Sequence, residues 1–343
     1  RDSVASRGLG DVYKRQQNAA DGELVAMNSG KNVQGRSFTH GNYSYSFRKG
    51  DELVTVDSST ENCMLYGLNF QQQWDYAIEC DPDFIFVTGW NEWIAGRWIE
   101  WMGTQNAFPD QFSDEYSRDI EPAAGVLKDH YYYQLCANIR RFKGVSEPMK
   151  TEGGQTINIF GSDKQWQWVN NEYTHYTGST KKRDADGWIG LHYEHDTMRN
   201  DFKNVKVTYD HKNVYFRIET VDDITPYSGR AWMRILIDTD STGRTANWEG
   251  FEFVINRDGA TENAVSIERS TGGWSFENTG TAQYTVNGNV MQFAVPRKAL
   301  GLEKGSEIHF NFKLSDNMQN DGDIMDFYEY GDVAPGGRFM FAF

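Results

Sequence analysis

The spacing of apolar residues changes near residue 146, and this change limits the possible folds more than any other feature of the chain. Before it, apolar segments alternate between strand-like and helix-like spacing, a pattern typical of α/β structure. After it, apolar residues recur at every second position, as in antiparallel sheets that bury one face. The sequence therefore predicts an α/β domain over residues 17–146 and an all-β domain over residues 147–343.

The α/β domain is predicted to contain two strands and two helices. Residues 23–27 and 84–90 have the length of strands, and residues 84–90 are apolar on both faces, as a parallel strand covered on both sides must be. Residues 69–79 and 131–142 have helical spacing. A complete (β/α) barrel takes about 250 residues, so we expect a truncated barrel remnant that supplies only the last few units.

The all-β domain is predicted to be an antiparallel β-sandwich. Asn287 and Gly288 lie between two alternating segments and predict a hairpin turn, because both residue types tolerate positive φ. The other predicted strands follow the alternation of apolar residues and cover residues 204–210, 213–220, 231–238, 250–256, 264–269, 308–314 and 338–343.

The first 16 residues are treated separately from the fold. Residues 6–16 read SRGLGDVYKRQ, which resembles a translated sequencing adapter, and we exclude residues 1–16 from both domains. We therefore expect the natural N-terminus, with any signal peptide, to lie upstream of this sequence. The alternative is a disordered N-terminal arm that belongs to the protein.

Net charge and cysteine content exclude several classes of function. The formal net charge of −15 repels phosphate backbones and anionic lipids, and no basic run or apolar stretch of membrane length offsets it. We therefore expect neither nucleic-acid binding nor membrane insertion. Cys63, Cys80 and Cys136 lack a disulfide framework and a CxxC spacing, so we interpret them as buried thiols.

Polar side chains follow the apolar run of residues 84–90. Asn91 and Glu92 come next in the chain, and the carboxyl ends of barrel strands carry catalytic groups. Glycoside hydrolysis needs a carboxylate beside the anomeric carbon, a role that suits Glu92. The alternative is a structural carboxylate held by Arg97 or Arg118. Candidates for sugar contacts at the same exit are Trp90, Trp93, Arg97, Trp98 and Trp101.

The segment VTGWNEWIAG at residues 87–96, with the loop 117–122 and the helix that follows it, resembles the C-terminal end of bacterial barrel proteins related to glycoside hydrolase families 71 and 99. The resemblance to family 99 implies two catalytic glutamates three residues apart. Glu92 matches the first, whereas Ala95 stands in place of the second. The proton donor is then an upstream residue, Glu100 or Asp119, or it is absent.

The second domain resembles family 9 carbohydrate-binding modules. The resemblance is carried by RNDFKNVKVTYDHKNVYFRIET, WMRILIDTD, FAVPRKALGL and GDIMDFYEYGDVAPGGRF, and it covers most of residues 150–343. It implies a sandwich that holds sugars with Trp side chains. We therefore expect a secreted, periplasmic or cell-surface protein whose partner is a glycan.

Strand parity predicts which face holds the sugar. Ile235 and Ile237 share the core face with Met233, which turns Trp232 and Arg234 to the other face. The same parity turns Tyr215, Arg217 and Glu219 outward. We therefore expect one platform made of Tyr215, Arg217, Trp232 and Arg234. The alternative is that residues 151–193 cover this face. Further candidates for sugar contacts are Trp188, Trp248 and Trp274.

Two acidic segments are candidate cation sites. The spacing of the first follows a calcium loop, with oxygen ligands predicted from Asp238, Asp240, Thr242 and Glu249. The alternative is an acidic β-turn. A second acidic patch with the same two interpretations contains Asp316, Asp321, Asp323 and Asp326.

Together these features predict the C-terminal fragment of a glycoside hydrolase with a carbohydrate-binding module. The fragment is expected to be inactive by itself and to need no cofactor for catalysis. The alternative function is a non-catalytic glycan-binding or adhesion protein with a degenerate barrel, as Ala95 suggests. Sugar identity and a retaining or inverting outcome stay open.

Overall fold

The computed structural model describes residues 24–28, 45–49, 52–55, 65, 67–88, 90–91, 97–101, 103–107, 119–147, 149–151, 153–187, 190–229, 231–239, 249–257, 259–302 and 308–343. The chain divides into two compact units, unit 1 up to Ser146 and unit 2 from Glu147. Most of the described secondary structure is β-strand, with few helices. None of the described helices is both long and apolar enough to cross a lipid bilayer.

Unit 1 contains short strands and two helices. In chain order its elements are β1 (Leu24–Asn28), β2 (Tyr45–Lys49), β3 (Glu52–Thr55), α1 (Leu68–Glu79), β4 (Phe84–Thr88), β5 (Trp98–Trp101), β6 (Thr104–Ala107) and α2 (His130–Lys143). β1 and β4 pair in parallel, while β2–β3 and β5–β6 are antiparallel pairs. The four predicted elements of this region are confirmed, each shifted by at most two residues at either end.

The two helices of unit 1 share a small apolar core. Phe70, Trp74 and Ala77 on α1 are buried together with Tyr131 on α2, as the helical spacing predicts. A polar contact also joins the helices, because the Gln71 side chain donates to Asn138 Oδ1 over 3.1 Å. The core therefore holds α1 and α2 side by side.

β4 is covered on one face only in the described part of unit 1. Ile85 and Val87 pack against the helix core, whereas Phe84 and Phe86 are 58% and 44% exposed. The prediction of a strand covered on both faces is therefore wrong here. The described strands form no barrel, and the barrel remnant stays a prediction.

Unit 2 is built mainly from one sheet. Its strands are β7 (Glu172–Thr174), β8 (Arg183–Asp186), β9 (His192–His195), β10 (Phe202–Tyr209), β11 (Asn213–Thr220), β12 (Arg234–Asp238), β13 (Phe253–Ile255), β14 (Ala264–Gly272), β15 (Ser275–Asn287), β16 (Val290–Pro296), β17 (Asn311–Asp316), β18 (Asp332–Ala334) and β19 (Phe341–Ala342). Its short helices are the 3-10 helices Asp163–Trp168 and Arg297–Leu300 and the α-helix Asp326–Glu329.

Eleven strands form a continuous antiparallel sheet. The order is β18-β17-β12-β13-β14-β15-β16-β11-β10-β7, with β19 paired beside β17, and β8 and β9 form a separate hairpin. β15 and β16 form the predicted hairpin, in which Asn287 pairs with Val290 and Gly288 has a φ of 58°. The two-residue turn is therefore Gly288 and Asn289, one residue later than predicted.

The sheet curls so that strands far apart in its order face each other. Phe216 on β11 and Phe312 on β17 pack with ring centroids 5.5 Å apart, although six steps of strand pairing separate their strands. The Tyr173 hydroxyl of β7 donates to the Ala342 carbonyl of β19 over 2.8 Å, which brings the two ends of the sheet together. One large apolar core therefore lies inside the curl.

Candidate functional site

The exit of β4 holds a polar contact that ties this strand end to the loop before α2. The Asn91 side-chain amide donates to Glu121 Oε2 over 3.0 Å, and the Glu121 backbone N–H donates to the Trp90 carbonyl over 2.9 Å. Trp90 is 47% exposed and packs edge-on against Tyr132, with ring centroids 5.9 Å apart. A carboxylate that the sequence reasoning did not select, Glu121, thus lies beside Asn91.

The other predicted residues of this exit are described only in part. Glu92, Trp93, Ala95 and Arg118 lie outside the described residues, and nothing is described of the Trp101 side chain. Trp98 is 50% exposed on β5. Glu100 accepts a 2.8 Å hydrogen bond from Gln105 on β6, while Arg97 and Asp119 are half-buried. The catalytic roles of Glu92 and Asn91 stay predictions.

The prediction that Trp232 lies on an open face is wrong. The side chain is 3% exposed and belongs to the large core inside the curl. Its ring packs edge-on against Tyr227 and Tyr284, with centroids 5.5 and 6.0 Å away, and its Nε1 donates to the Thr225 carbonyl over 2.9 Å. Trp232 is therefore a core residue.

A break in strand geometry explains why parity fails at Trp232. β12 begins only at Arg234, and Ala231 and Met233 have φ of 64° and 46°. These left-handed conformations are uncommon for residues with a side chain, and they interrupt the alternation of side chains. Trp232 and Met233, although adjacent, consequently point into the same core.

Arg234 obeys parity but is not available to a ligand. It lies on the face of β12 opposite Ile235, yet it is fully buried. Its guanidinium donates to Asp321 Oδ1 over 2.7 Å and to the Arg257 carbonyl over 3.1 Å. The predicted sugar-binding role of Arg234 is therefore wrong, because a buried ion pair already uses this side chain.

Tyr215 and Arg217 are covered by the chain before β7, as the alternative proposed. Tyr215 is 2% exposed among Ile157, Ile159 and Trp166, and its hydroxyl donates to Asp210 Oδ2 over 2.8 Å. Burial raises the pKa of this phenol. Arg217 is 9% exposed and donates to both oxygens of Asp163, over 2.8 and 3.0 Å.

The predicted platform also fails because its strands are not neighbours. β12 pairs with β13 and β17, whereas β11 pairs with β10 and β16. Four strands lie between β11 and β12 in the sheet order. Arg217 and Arg234 therefore lie on separate parts of the outer face of the sheet, and both are buried there.

The remaining predicted Trp candidates are only partly described. Trp274 is half-buried in the turn between β14 and β15, where it packs edge-on against Phe276 with centroids 5.0 Å apart. The Arg257 guanidinium lies 5.8 Å from the Trp274 ring centroid. Trp188 and Trp248 lie outside the described residues.

The predicted calcium loop is described at its two ends. Asp238 is 1% exposed and accepts a 3.3 Å hydrogen bond from Asn311, and Glu249 forms a 3.0 Å ion pair with Arg338. Asp240 and Thr242 lie outside the described residues. Within the described residues, no three acidic, histidine or cysteine side chains are grouped to hold a metal ion. The calcium site stays a prediction.

The carboxylates of the second acidic patch have hydrogen-bond or ion-pair partners within the protein. Asp316 is fully buried and accepts hydrogen bonds from Arg199 Nε at 2.8 Å, Asn200 Nδ2 at 3.0 Å and the Met233 backbone at 2.9 Å. Burial raises the pKa of Asp316, although the neighbouring Arg199 and these donors oppose the shift. By accepting the Met233 backbone N–H, Asp316 holds this residue in its left-handed conformation beside Trp232.

The other members of the patch have protein partners as well. Asp321 pairs with Arg234, and Asp323 accepts a 3.1 Å bond from the Met325 backbone. Asp326 is 2% exposed and accepts the backbone N–H groups of residues 319 and 320 over 2.7 and 2.6 Å. All four carboxylates thus have partners within the protein, and the cation-site interpretation stays a prediction.

The described thiols are half-buried. Cys80 and Cys136 are free, and burial raises the pKa of Cys136, which disfavours a reactive thiolate. Cys63 lies outside the described residues.

Sequence reasoning missed an exposed Trp on unit 2. Trp168 is the last residue of the 3-10 helix Asp163–Trp168 and is 72% exposed, the largest exposed fraction of a described Trp. Phe160, just before this helix, is 52% exposed. Neither Phe160 nor Trp168 belongs to a segment with strand or α-helix periodicity. The spacing of apolar residues therefore does not indicate that these side chains are exposed.

The segment that carries Trp168 is fixed on the sheet. Trp166 is buried, and its Nε1 donates to Gln292 Oε1 over 2.6 Å, while Asp163 holds Arg217. Lys206 Nζ donates to the carbonyls of Trp166 and Val169 over 3.3 Å each. The backbone on both sides of Trp168 is therefore anchored, and the exposed ring is presented on a rigid support.

Charged groups lie on the segment that carries Trp168 or contact its backbone. Glu172 forms a 3.3 Å ion pair with Lys206, and its side chain is 39% exposed. The Asp163 side chain is 51% exposed. We call Trp168, Asp163, Glu172 and Lys206 the Trp168 surface. A flat apolar ring on the same segment as solvent-accessible carboxylates can stack on the C–H face of a sugar while the carboxylates accept hydrogen bonds from its hydroxyls.

Comparison of the chain with protein-family models, curated proteins and solved structures found no match. The resemblances to glycoside hydrolases and to family 9 modules therefore stay predictions, and the functional argument depends on the site geometry.

Proposed function

We propose that unit 2 is a β-sandwich that binds glycans, in a protein that acts on carbohydrates outside the cytoplasm. The observation that carries the proposal is the 72% exposed Trp168 ring on an anchored helix. Exposing so much apolar area to water is unfavourable, by about 25 cal/mol per Å². A ligand with an apolar face recovers this free energy when it covers the ring.

The charged residues of the Trp168 surface favour a sugar over a purely apolar ligand. Asp163 and Glu172 are partly exposed and their carboxylates accept hydrogen bonds, as sugar hydroxyls require. Their protein partners, Arg217 and Lys206, hold them in place before the ligand arrives, which lowers the entropy cost of binding. One stacked ring contributes on the order of 1 kcal/mol, so weak binding that strengthens along a polymer is expected.

The proposal is tested by affinity electrophoresis of the full chain in gels that contain neutral polysaccharides. The wild-type protein is expected to be retarded by at least one polymer, and Trp168→Ala is expected to lose the retardation. Tyr193→Ala is the matched control, because Tyr193 is a 56% exposed aromatic side chain on the separate β8–β9 hairpin. Equal retardation of wild type and Trp168→Ala would contradict the proposal.

For unit 1 we propose the C-terminal part of a glycoside hydrolase barrel. Asn91 and Glu121 meet at the exit of β4, and Glu92 follows Asn91 in the chain. Glu121 is thus a candidate for the second carboxylate that the Ala95 departure leaves unassigned. In a chain that carries the whole barrel, we expect Glu92→Gln and Glu121→Gln each to lower kcat strongly. Near-normal turnover of both variants would make these carboxylates structural.

A further inference from the structure

A cleft on unit 2 combines two cationic side chains with hydroxyl groups and an apolar floor. Its volume is about 630 Å³, and residues that define it include Thr239, Phe253, Arg269, Thr281, Lys298 and Leu302. This volume lies within the range of small-molecule sites, roughly 300 to 1,000 Å³. None of its lining residues belongs to the Trp168 surface.

The cations of the cleft have no ionic partner in the part of the chain that the structure describes. Arg269 and Lys298 are both exposed, and no carboxylate is among the described residues that line the cleft. Glu277 lies opposite Arg269 in the β14–β15 register, yet the two side chains form no ion pair. Glu252 accepts hydrogen bonds from the backbone and hydroxyl of Thr239, a residue of the lining. Two positively charged residues therefore belong to the lining of the cleft.

The lining of the cleft leaves room for a ring-shaped ligand. Phe253 and Leu300 are 5% and 1% exposed, and they form an apolar base. Gly280 and Gly301 line the cleft without side chains, and a Cβ at Gly280 would lie 3.9 Å from the Ala299 methyl group. A larger side chain at Gly280 would consequently project toward the lining.

We propose that this cleft binds an acidic sugar, a uronic acid residue at the end of an oligosaccharide or within it. The carboxylate would pair with Arg269 and Lys298, since a guanidinium offers a planar fork of donors that fits a carboxylate. The hydroxyl groups of Thr281 and of the other threonines in the lining would form hydrogen bonds with the hydroxyls of the sugar ring. Because the chain carries a net charge of −15, general attraction of anions is opposed, and the cation pair acts locally.

Isothermal titration of the full chain with a galacturonic acid trimer and a neutral galactose trimer tests the proposal. The acidic trimer is expected to bind, and Arg269→Gln and Lys298→Gln are each expected to weaken it about tenfold, as the loss of a charge-assisted hydrogen bond predicts. Gly280→Leu is expected to weaken it without any change of charge. Lys181→Gln is the control, because Lys181 is exposed outside the cleft.

Several results would overturn the proposal: no binding of the acidic trimer, equal binding of the neutral trimer, or unchanged affinity in the Gln variants. If inorganic sulfate, at the concentration of the trimer, displaced it, the cleft would bind anions in general and the proposal of a sugar site would be overturned. This experiment distinguishes the cleft from the Trp168 surface. Trp168→Ala is expected to leave the affinity for the acidic trimer unchanged, so either proposal can fail without the other.

Discussion

Replacing Trp232 by alanine tests the packing of unit 2 most severely. The side chain is 3% exposed, packs edge-on against two Tyr rings, and donates its Nε1 to the Thr225 carbonyl. Truncating a buried Trp costs about 3 to 5 kcal/mol, since the cavity collapses only partly. This range includes the contribution of the lost hydrogen bond to Thr225. The expected loss is a large fraction of the free energy of unfolding of a folded domain, typically about 5 to 15 kcal/mol.

The assay is urea unfolding of the full chain followed by near-UV circular dichroism, with Trp168→Ala as the matched control. Both variants lose one Trp, but Trp168 is 72% exposed, so its loss is expected to change the free energy of unfolding by less than about 0.5 kcal/mol. If Trp232→Ala changed the unfolding free energy as little as Trp168→Ala does, Trp232 would lie on an open face and the core assignment would be refuted.

Four further predictions follow from single contacts. Burial raises the pKa of Asp332 from 3.8 to about 6, so the stabilisation from its bound proton is complete below pH 4 and is lost as the pH rises through 6. Between pH 4 and 7, Asp332→Asn should therefore gain roughly 3 kcal/mol relative to wild type in urea unfolding, and a constant difference would contradict the burial argument. Arg234→Met should cost about 3 to 5 kcal/mol because it leaves the Asp321 carboxylate buried without its cation, and adding Asp321→Leu should recover part of that loss. Tyr215→Phe should lower the free energy of unfolding by about 1 kcal/mol through the lost bond to Asp210. No loss in an Asp210→Ala background would locate the effect in that bond. If Asp238 and Glu249 help to hold calcium, EDTA should lower the Tm of the calcium-loaded protein, and an unchanged Tm would reduce the loop to a turn.

Alternation predicts a strand well where the backbone stays extended. β11 spans the predicted residues 213–220 because Val214, Phe216 and Ile218 each reach the core without interruption. β12 is predicted three residues too long, because the left-handed φ of Ala231 and Met233 depends on contacts made at residues 316 and 317. Such long-range contacts leave no periodic signal in the local sequence.

The functional surface is harder to predict than the strands, because it depends on which strands are neighbours. Parity correctly turns Arg217 away from the core, but it does not show that Asp163 and Trp166 cover this face. Trp168 is exposed because the 3-10 helix turns it away while Trp166 is buried. The same one-dimensional pattern is compatible with either Trp facing solvent, and only the packed segment distinguishes them.

The most direct test of glycan binding follows the indole N–H signals of the tryptophans by NMR during an oligosaccharide titration. Trp166 and Trp232 donate their Nε1 protons to Gln292 and Thr225 inside the protein, and their signals are expected to stay in place. The Trp168 signal, assigned by its absence in Trp168→Ala, is expected to shift in a saturable way. A stationary Trp168 signal while the sugar binds elsewhere, or no change in any signal with every neutral glycan tried, would contradict the account.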